Sequence, residues 1–581
     1  MAPVPSPQNA DLIAKLGKDF ARMRVLLVDR HSGARQSLRI ILSTLGVSSI
    51  HNAGTSAEVL RQVKSYEFDV IFSDYHLDDG RDGQQLLEEL RQNHLIPLST
   101  VFMVITAERA YRNVVSVAEL APDDYLIKPF TAEQLQSRLL RALYKKAFFT
   151  RVLRHLDNGA YPDALAACEA LLGQDEQFHY DVLRFKGEIL NALGRHEEAQ
   201  TVYQQVLDNA IVPWARMGLA IALRGQGQLT EAEAIGVELI EDFPEFLGAY
   251  DFVAGVREEL GKLGEAQAVL QRAAEISPNN SQRQRMVGDV AVRNEDLDAA
   301  ERAYAKVLER HRGSTLRVID DYTNITRVML ERGNTAGARL VTQDLRRDWR
   351  GNPQGELAAL VMDSLCCGQE GEPAKAKSAL DKALALHERL RSAPDEEPTA
   401  GLSQKIAVDL AHACLASGDE TKAQEILAKV AAENHEDRAM LAQIQGVFAK
   451  AGKEDSGQAL LAQVDREIVE LNNRGVMAAR SGNLEASVQM LIEAAERVPN
   501  LQFLVNASKA IFTLLERKGW NAEMGQRALR YLQLAQAKDP RSAKVISARE
   551  LYRQVARKYG IEATVEAPRS PSNANDQGII T

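Results

Sequence analysis

Short apolar runs that end in an acidic or hydroxyl residue dominate the first quarter of the chain. RVLLVDRH from Arg24, FDVIFSDYH from Phe68 and STVFMVITAE from Ser99 are continuous rather than alternating, which suits strands covered on both faces in a parallel sheet. Between them, SGARQSLRIILSTLG and DGQQLLEELRQN carry helical spacing, so strands and helices alternate. A last short run in APDDYLIKPF and a helical pattern from about Thr131 to Lys146 complete an α/β unit. Open α/β sheets gather functional groups in the crevice at the carboxyl ends of their strands. That rule brings Asp29, Asp74, Thr106 and Lys128 to one edge.

From about Phe148 the strand signals stop, and helical patterns are broken at short intervals by glycine-containing turns. Pro244 and Pro278 lie 34 residues apart, as do Gly227 and Gly261, and Ala232, Ala266 and Ala300 follow the same step. A fixed period of this length predicts stacked helical hairpins. Alanine at the recurrent position lets paired helices approach closely, glycine allows a turn with φ > 0, and each hairpin buries its apolar stripe against its neighbours. The blocks QGQLTEAEAIGVELIEDFP, LGKLGEAQAVLQRAAEISP and SGNLEASVQMLIEAAERVP resemble the second helix of tetratricopeptide repeats. About ten or eleven hairpins fit between residues 148 and 558, with degenerate units around Gly452 and Trp520. The expected product is a superhelical solenoid with a concave groove.

Composition narrows the class. Of 581 residues 45% are hydrophobic, 26% charged and only 6% aromatic, which excludes wholesale disorder and favours helices. The formal net charge of -10 has the wrong sign for a phosphate-backbone binder, so nucleic acid is not an expected partner. Residues 1–147 carry 18 basic and 17 acidic side chains; the remainder carries 52 and 63, a balance of -11. The acidity belongs to the repeats and favours basic or neutral partner segments.

The amino-terminal MAPVPSPQNADLIAKLGKDF lacks a secretory apolar core, and the uncharged run from Leu95 to Ala107 is far shorter than the roughly 20 residues of a spanning helix. The expectation is a cytoplasmic protein without membrane insertion. Cys168, Cys366, Cys367 and Cys414 form no CxxC pair, so they read as buried free thiols. ERHRGSTLR, with Arg310, His311, Arg312 and Arg317, interrupts the repeat register; it reads as an inter-helix loop or as a site for an acidic partner. Trp349 reads as an interface anchor or as a cap over the core. No P-loop, nucleophile triad or zinc set is present, and no enzymatic activity is expected.

Four features in order, VD after the first strand, SDYH, the TAE segment and KPF, resemble the receiver domain of two-component response regulators over residues 23–147. The resemblance implies a doubly wound, flavodoxin-like fold. It also implies that Asp74 accepts a phosphoryl group from a sensor histidine kinase, that Lys128 contacts that group, that Thr106 closes on it, and that Tyr125 rotates with the switch. These residue types suit phosphoryl transfer, since a carboxylate attacks phosphorus while an ammonium and a hydroxyl stabilise charge on the transferring oxygens.

One position departs from the family pattern, where two adjacent acids follow the first strand: here Asp29 is followed by Arg30. The resemblance implies Mg²⁺ held by Asp29, Asp74 and the backbone carbonyl of His76, and Arg30 weakens that set because a guanidinium offers no oxygen ligand. Two readings follow. Either the receiver is phosphorylated on Asp74 with weaker Mg²⁺ dependence, or Arg30 replaces the metal's charge and leaves a pseudo-receiver acting as a constitutive adaptor.

The combined expectation is an N-terminal arm (1–22), a receiver (23–147), tetratricopeptide-like repeats (148–558) and a disordered tail (559–581). Such a chain resembles receiver–tetratricopeptide response regulators, including VieB-like proteins, and implies phosphorylation-dependent binding of protein partners in the repeat groove. The run YKKAFFTRVLRHLD passes from receiver to repeats without a Gly/Pro-rich linker, which predicts a rigid joint. Phosphorylation is expected to change how the receiver face packs on the first hairpins.

Overall fold

In the computed structural model, residues 19–77, 83–106, 122–278, 280–311, 317–392, 403–435, 437–539 and 542–561 are described. The bulk of the N-terminal arm, residues 78–82, Ala107 and Glu108 of the TAE segment, Arg312, and the tail beyond Ile561 lie outside them. The chain divides into two compact units, Met1–Asp296 with Glu309–Leu316, and Leu297–Leu308 with Arg317–Thr581.

The first unit opens with five parallel strands, β1 (Arg24–Val28), β2 (Ser49–Ala53), β3 (Val70–Asp74), β4 (Val101–Thr106) and β5 (Asp124–Ile127), in the order β2-β1-β3-β4-β5. Helices α1 (Ser32–Thr44), α2 (Ser56–Ser65), α3 (Gly83–Gln92) and α4 (Ala132–Phe148) accompany them. The strands are apolar throughout because both sheet faces are covered. Val25 and Leu27 of β1 join Phe72, Met103, Leu38, Leu42, Leu135 and Leu139 on one side, while Leu26 and Val28 join Ile71, Val104, Val59, Val63, Leu86 and Leu90 on the other. This is the parallel α/β sheet with helices on both faces that the alternating pattern predicts.

No linker follows. Phe149, 1% exposed, ends α4 and begins α5 (Thr150–Asp157), which pairs with α6 (Tyr161–Leu171) as the first hairpin and is followed by α7 (His179–Ala192). Phe148, Phe149, Phe178 and Phe185 form a chain of ring contacts with centroids 4.9–6.0 Å apart. The Tyr144 hydroxyl donates to Asp175 at 2.7 Å, and Lys145 pairs with Asp181 at 2.6 Å. These contacts join α4 to the start of the repeats.

The hairpins behind it carry the repeat chemistry as expected. Ala232, Ala266 and Ala300 are fully buried, and Gly227 and Gly261 adopt φ of 80° and 76°, the left-handed region where a side chain is strained. Tyr203 lies between two further glycines: a Cβ at Gly187 or Gly218 would stand 2.5 or 2.2 Å from its ring. His311 is buried with its ring 2.9 Å from the Ser281 hydroxyl.

In the second unit the array is less regular, with helices of 20 residues (Pro373–Ser392) and 27 residues (Glu454–Arg480). The helices Ile319–Glu331 and Gln404–Ala416 touch each other across Pro353–Gln369, and polar Asp321, Thr323, Asn324, Thr326 and Asp409 are buried on them. Arg327 donates to both Asp409 oxygens at 2.8 and 2.7 Å and to Asn324 at 3.1 Å. Lys450 bonds Glu331 beyond this pair. These bonds join helices of non-adjacent repeats to one another.

Trp349 caps the end of the helix Thr335–Asp348 and packs on the core, and Arg317 pairs with Asp348 at 2.6 Å, so both serve the scaffold. All four cysteines are free and buried. Burial pushes the thiols of Cys168 and Cys414 up to about 12 and that of Cys366 to about 11, which makes them poor nucleophiles. Among the described residues no helix is long and apolar enough to cross a membrane.

Candidate functional site

The strand order places the crevice of the sheet between β1 and β3, where the chain winds away on either side. β3 ends in Asp74, and Asp29 immediately follows β1. Asp29 is 2% exposed and held from two directions: the His31 N–H donates to its Oδ1 at 2.8 Å, and Arg35 of α1 bonds its backbone carbonyl. The side chain of Asp74 is 12% exposed, open enough for a reacting group to reach.

Lys128 reaches both acids from the end of β5. Its Nζ stands 2.7 Å from Asp74 Oδ1 and 3.3 Å from Asp29 Oδ2. Burial alone would lower the ammonium's pKa; the hydrogen bond and charge of Asp74, with Asp29 adding to them, outweigh burial and raise it above the ordinary lysine value. The site therefore contains two carboxylates and one permanently charged ammonium.

Thr106 ends β4, 2% exposed, and its carbonyl accepts the Lys128 N–H at 2.8 Å. It lies one residue beyond Ile105, the partner of Asp74 in the β3–β4 ladder, so Asp74, Thr106 and Lys128 share one end of the sheet. Tyr125 lies on β5 opposite Val104 and packs on the α2–α3 side of the core. Arg138 of α4 fixes this strand by bonding Asp124 at 2.7 Å and the Tyr125 carbonyl at 3.1 Å.

Arg30 is exposed, and its Nε–H donates to the His31 ring at 3.0 Å. His76 is exposed two residues past Asp74, its ring in an edge contact with Tyr75 at 5.1 Å. The donor set suits a hard cation: two converging carboxylates supply oxygen, and one ammonium leaves one of their two negative charges unbalanced. Asp29 and Asp74 fit Mg²⁺ on that count, with Arg30 subtracting one oxygen ligand.

Two positions escape sequence reasoning. Gly83, which reads as a turn residue, donates its N–H to Tyr75 O at 2.8 Å, and a Cβ there would stand 2.7 Å from the Asp74 carbonyl oxygen. Only glycine lets α3 start this close behind β3. The joint is the other. The Asp157 carboxylate at the end of α5 accepts the Leu98 N–H at 3.0 and 3.2 Å, so the hairpin meets the starting end of β4 and the flank of α4, away from Asp74.

A response regulator receiver domain model matches residues 25–140, and a tetratricopeptide repeat model matches residues 149–213 and 193–245. The chain is 30% identical over 117 residues to the chemotaxis protein CheY-3 of Vibrio cholerae serotype O1, covering 20% of this chain and 88% of that protein. It is 29% identical over 117 residues to the chemotaxis protein CheY of Pseudomonas aeruginosa, covering 20% and 93%. Among solved structures, the chemotaxis response regulator CheY4 of Vibrio cholerae aligns with 26% identity over 21% of this chain and 98% of that one, at a TM-score of 0.19. A tetratricopeptide repeat protein from Parabacteroides merdae aligns with 14% identity over 52% and 98%, at a TM-score of 0.32. The Lys128–Asp74–Asp29 cluster thus stands at the carboxyl end of a receiver sheet, and through residues 25–140 the chain belongs to the response regulator receiver family, with tetratricopeptide repeats following from residue 149.

Proposed function

We propose that this two-component response regulator is phosphorylated on Asp74 by a sensor histidine kinase and that its repeats bind protein partners according to that state. The observation that carries the reading is the Lys128 ammonium, 2.7 Å from Asp74 and 3.3 Å from buried Asp29. An Asp74 oxygen attacks phosphorus, an acyl phosphate O–P bond forms, the donor's N–P bond breaks, and the imidazole leaves with the electron pair. Lys128 transfers its hydrogen bond from the carboxylate to a phosphoryl oxygen, and the Thr106 hydroxyl donates to another. Tyr125, on the strand beside Thr106, follows that movement. Mg²⁺ held by Asp29, Asp74 and the His76 carbonyl supplies countercharge to the transferring oxygens when bound. The repeats are acidic and suit basic or neutral partner segments.

Purified protein treated with Mg²⁺ and acetyl phosphate is expected to gain a phosphoryl group on Asp74, located by mass spectrometry and absent in Asp74→Asn. An unmodified wild type that also gives no spectral response to beryllofluoride would overturn the reading in favour of a phosphorylation-independent adaptor, the class for which Arg30 speaks.

A further inference from the structure

The two strands that lead into Thr106 and Lys128, β4 and β5, begin in the joint with the repeats. Leu98 lies three residues before β4; its N–H is held by both Asp157 oxygens, and its carbonyl accepts the Lys146 ammonium at 2.7 Å. Lys146 also pairs at 2.9 Å with Asp123, the residue just before β5. The second Asp123 oxygen accepts the Phe102 N–H of β4 at 2.8 Å. One connected polar chain, with Lys146 and Asp123 side chains only 16% and 11% exposed, therefore ties the starting ends of both strands to each other and to α5. Tyr144 with Asp175, Lys145 with Asp181 and the Phe148–Phe149–Phe178 rings hold the same hairpin from the α4 side.

We propose that the first hairpin is a fixed base for β4 and β5. Asp157 and Lys146 pin the strands at the ends opposite the switch, about 20 Å away along six-residue β4 and about 13 Å along four-residue β5, so rearrangement at Asp74 tilts the two strands about this base and does not release the repeats. The physical ground is asymmetry of cost. Undocking the hairpin strips the Leu98 N–H of its Asp157 partner beside the little-exposed Lys146–Asp123 pair, a place poorly supplied with water, and unpaired buried groups are expensive. The Asp74 end is held by ion pairs that a phosphoryl group can replace. The tilt rests on the proposed phosphorylation of Asp74; the pinned base does not.

Hydrogen–deuterium exchange on the full chain, with and without Mg²⁺ and beryllofluoride, tests both parts. Beryllofluoride is expected to slow exchange at the ends of β4 and β5 while leaving α5–α7 unchanged. Without it, Asp157→Ala and Lys146→Met are each expected to speed exchange in α5–α7 about ten-fold, the effect of leaving a buried donor or acceptor unpaired. A wild-type circular dichroism spectrum and melting temperature show that each variant is folded. Faster α5–α7 exchange in beryllofluoride-treated wild type would overturn the pinned base, as would unchanged α5–α7 exchange in both variants. A wild type silent at β4 and β5 would overturn the tilt together with the Asp74 reading, and the variants would still decide the base.

Discussion

Lys128 and Asp74 are joined across the crevice of the sheet by a 2.7 Å hydrogen bond, and buried Asp29 shares the same ammonium at 3.3 Å. One cation thus restrains two acids that would otherwise repel each other, and it is already placed to meet the charge of a transferred phosphoryl group.

Replacing that cation is the sharpest test of its role. Lys128→Met is expected to lower the rate of phosphorylation by acetyl phosphate roughly 100-fold, the scale of losing one preorganised charge-stabilising donor. Sheet and repeats should remain folded because β5 is also held by Arg138 through Asp124 and Tyr125. Rates taken from Phos-tag gels alongside circular dichroism separate the two effects, and a wild-type rate would exclude Lys128 from the chemistry.

At position 30 the prediction runs toward gain. Arg30 is exposed, so Arg30→Asp introduces a carboxylate beside Asp29 without emptying a core. One added acidic ligand is expected to lower the Mg²⁺ concentration for half-maximal phosphorylation about ten-fold, equivalent to about 1.4 kcal/mol. An unchanged Mg²⁺ dependence would mean that the arginine does not weaken the site.

Gly83→Ala addresses the backbone of the acceptor. The new Cβ would meet the Asp74 carbonyl at 2.7 Å and the Ser73 hydroxyl at 3.0 Å. Main chain cannot yield as a side-chain tip does, so a loss of about 1–3 kcal/mol is expected, with a roughly ten-fold slower phosphoryl uptake from the displaced carboxylate. Denaturant titration reads the first quantity and labelling kinetics the second.

The strand-end placement of Asp29, Asp74, Thr106 and Lys128 was legible because apolar runs and their terminal polar residues are local signals. Gly83 was not, since a glycine after aspartate reads equally as a turn and as a point of close approach. Asp157 and Lys146 were hidden for another reason: nothing local distinguishes an aspartate at the end of an amphipathic helix from a solvated one, and its partner Leu98 is 59 residues away. The period near 34 revealed the hairpins through Ala232 and Gly227, but it carried no information on how helices of non-adjacent repeats meet, and so the Arg327–Asp409 pair was invisible.

His412 gives the second unit a pH dependence. Burial lowers its pKa below the ordinary 6.5, against the opposing charge of Asp409; Lys450 and Arg327 push the same way as burial, and Glu331 opposes it. The unfolded chain takes up a proton near the ordinary value while the folded one resists, so the contribution to stability is present above about pH 6.5 and is lost as pH falls below it. In thermal melts between about pH 7 and 5, His412→Gln is expected to lose less stability on acidification than the wild type. Parallel curves would show that the imidazole is not held neutral.

Arg327 and Asp409 decide whether helices two repeats apart are energetically joined. The guanidinium grips both oxygens of a carboxylate whose side chain is 4% exposed. Arg327→Ala leaves that charge buried without its partner and is expected to cost roughly 3–5 kcal/mol, the penalty for breaking a buried pair from one side. If the cost comes from the orphaned acid, Arg327→Met combined with Asp409→Leu recovers much of it, because an apolar pair of similar volume needs no solvation. A double-mutant cycle by urea denaturation measures the coupling. Additive single effects would mean that the helices Ile319–Glu331 and Gln404–Ala416 only lie beside each other and are not energetically coupled.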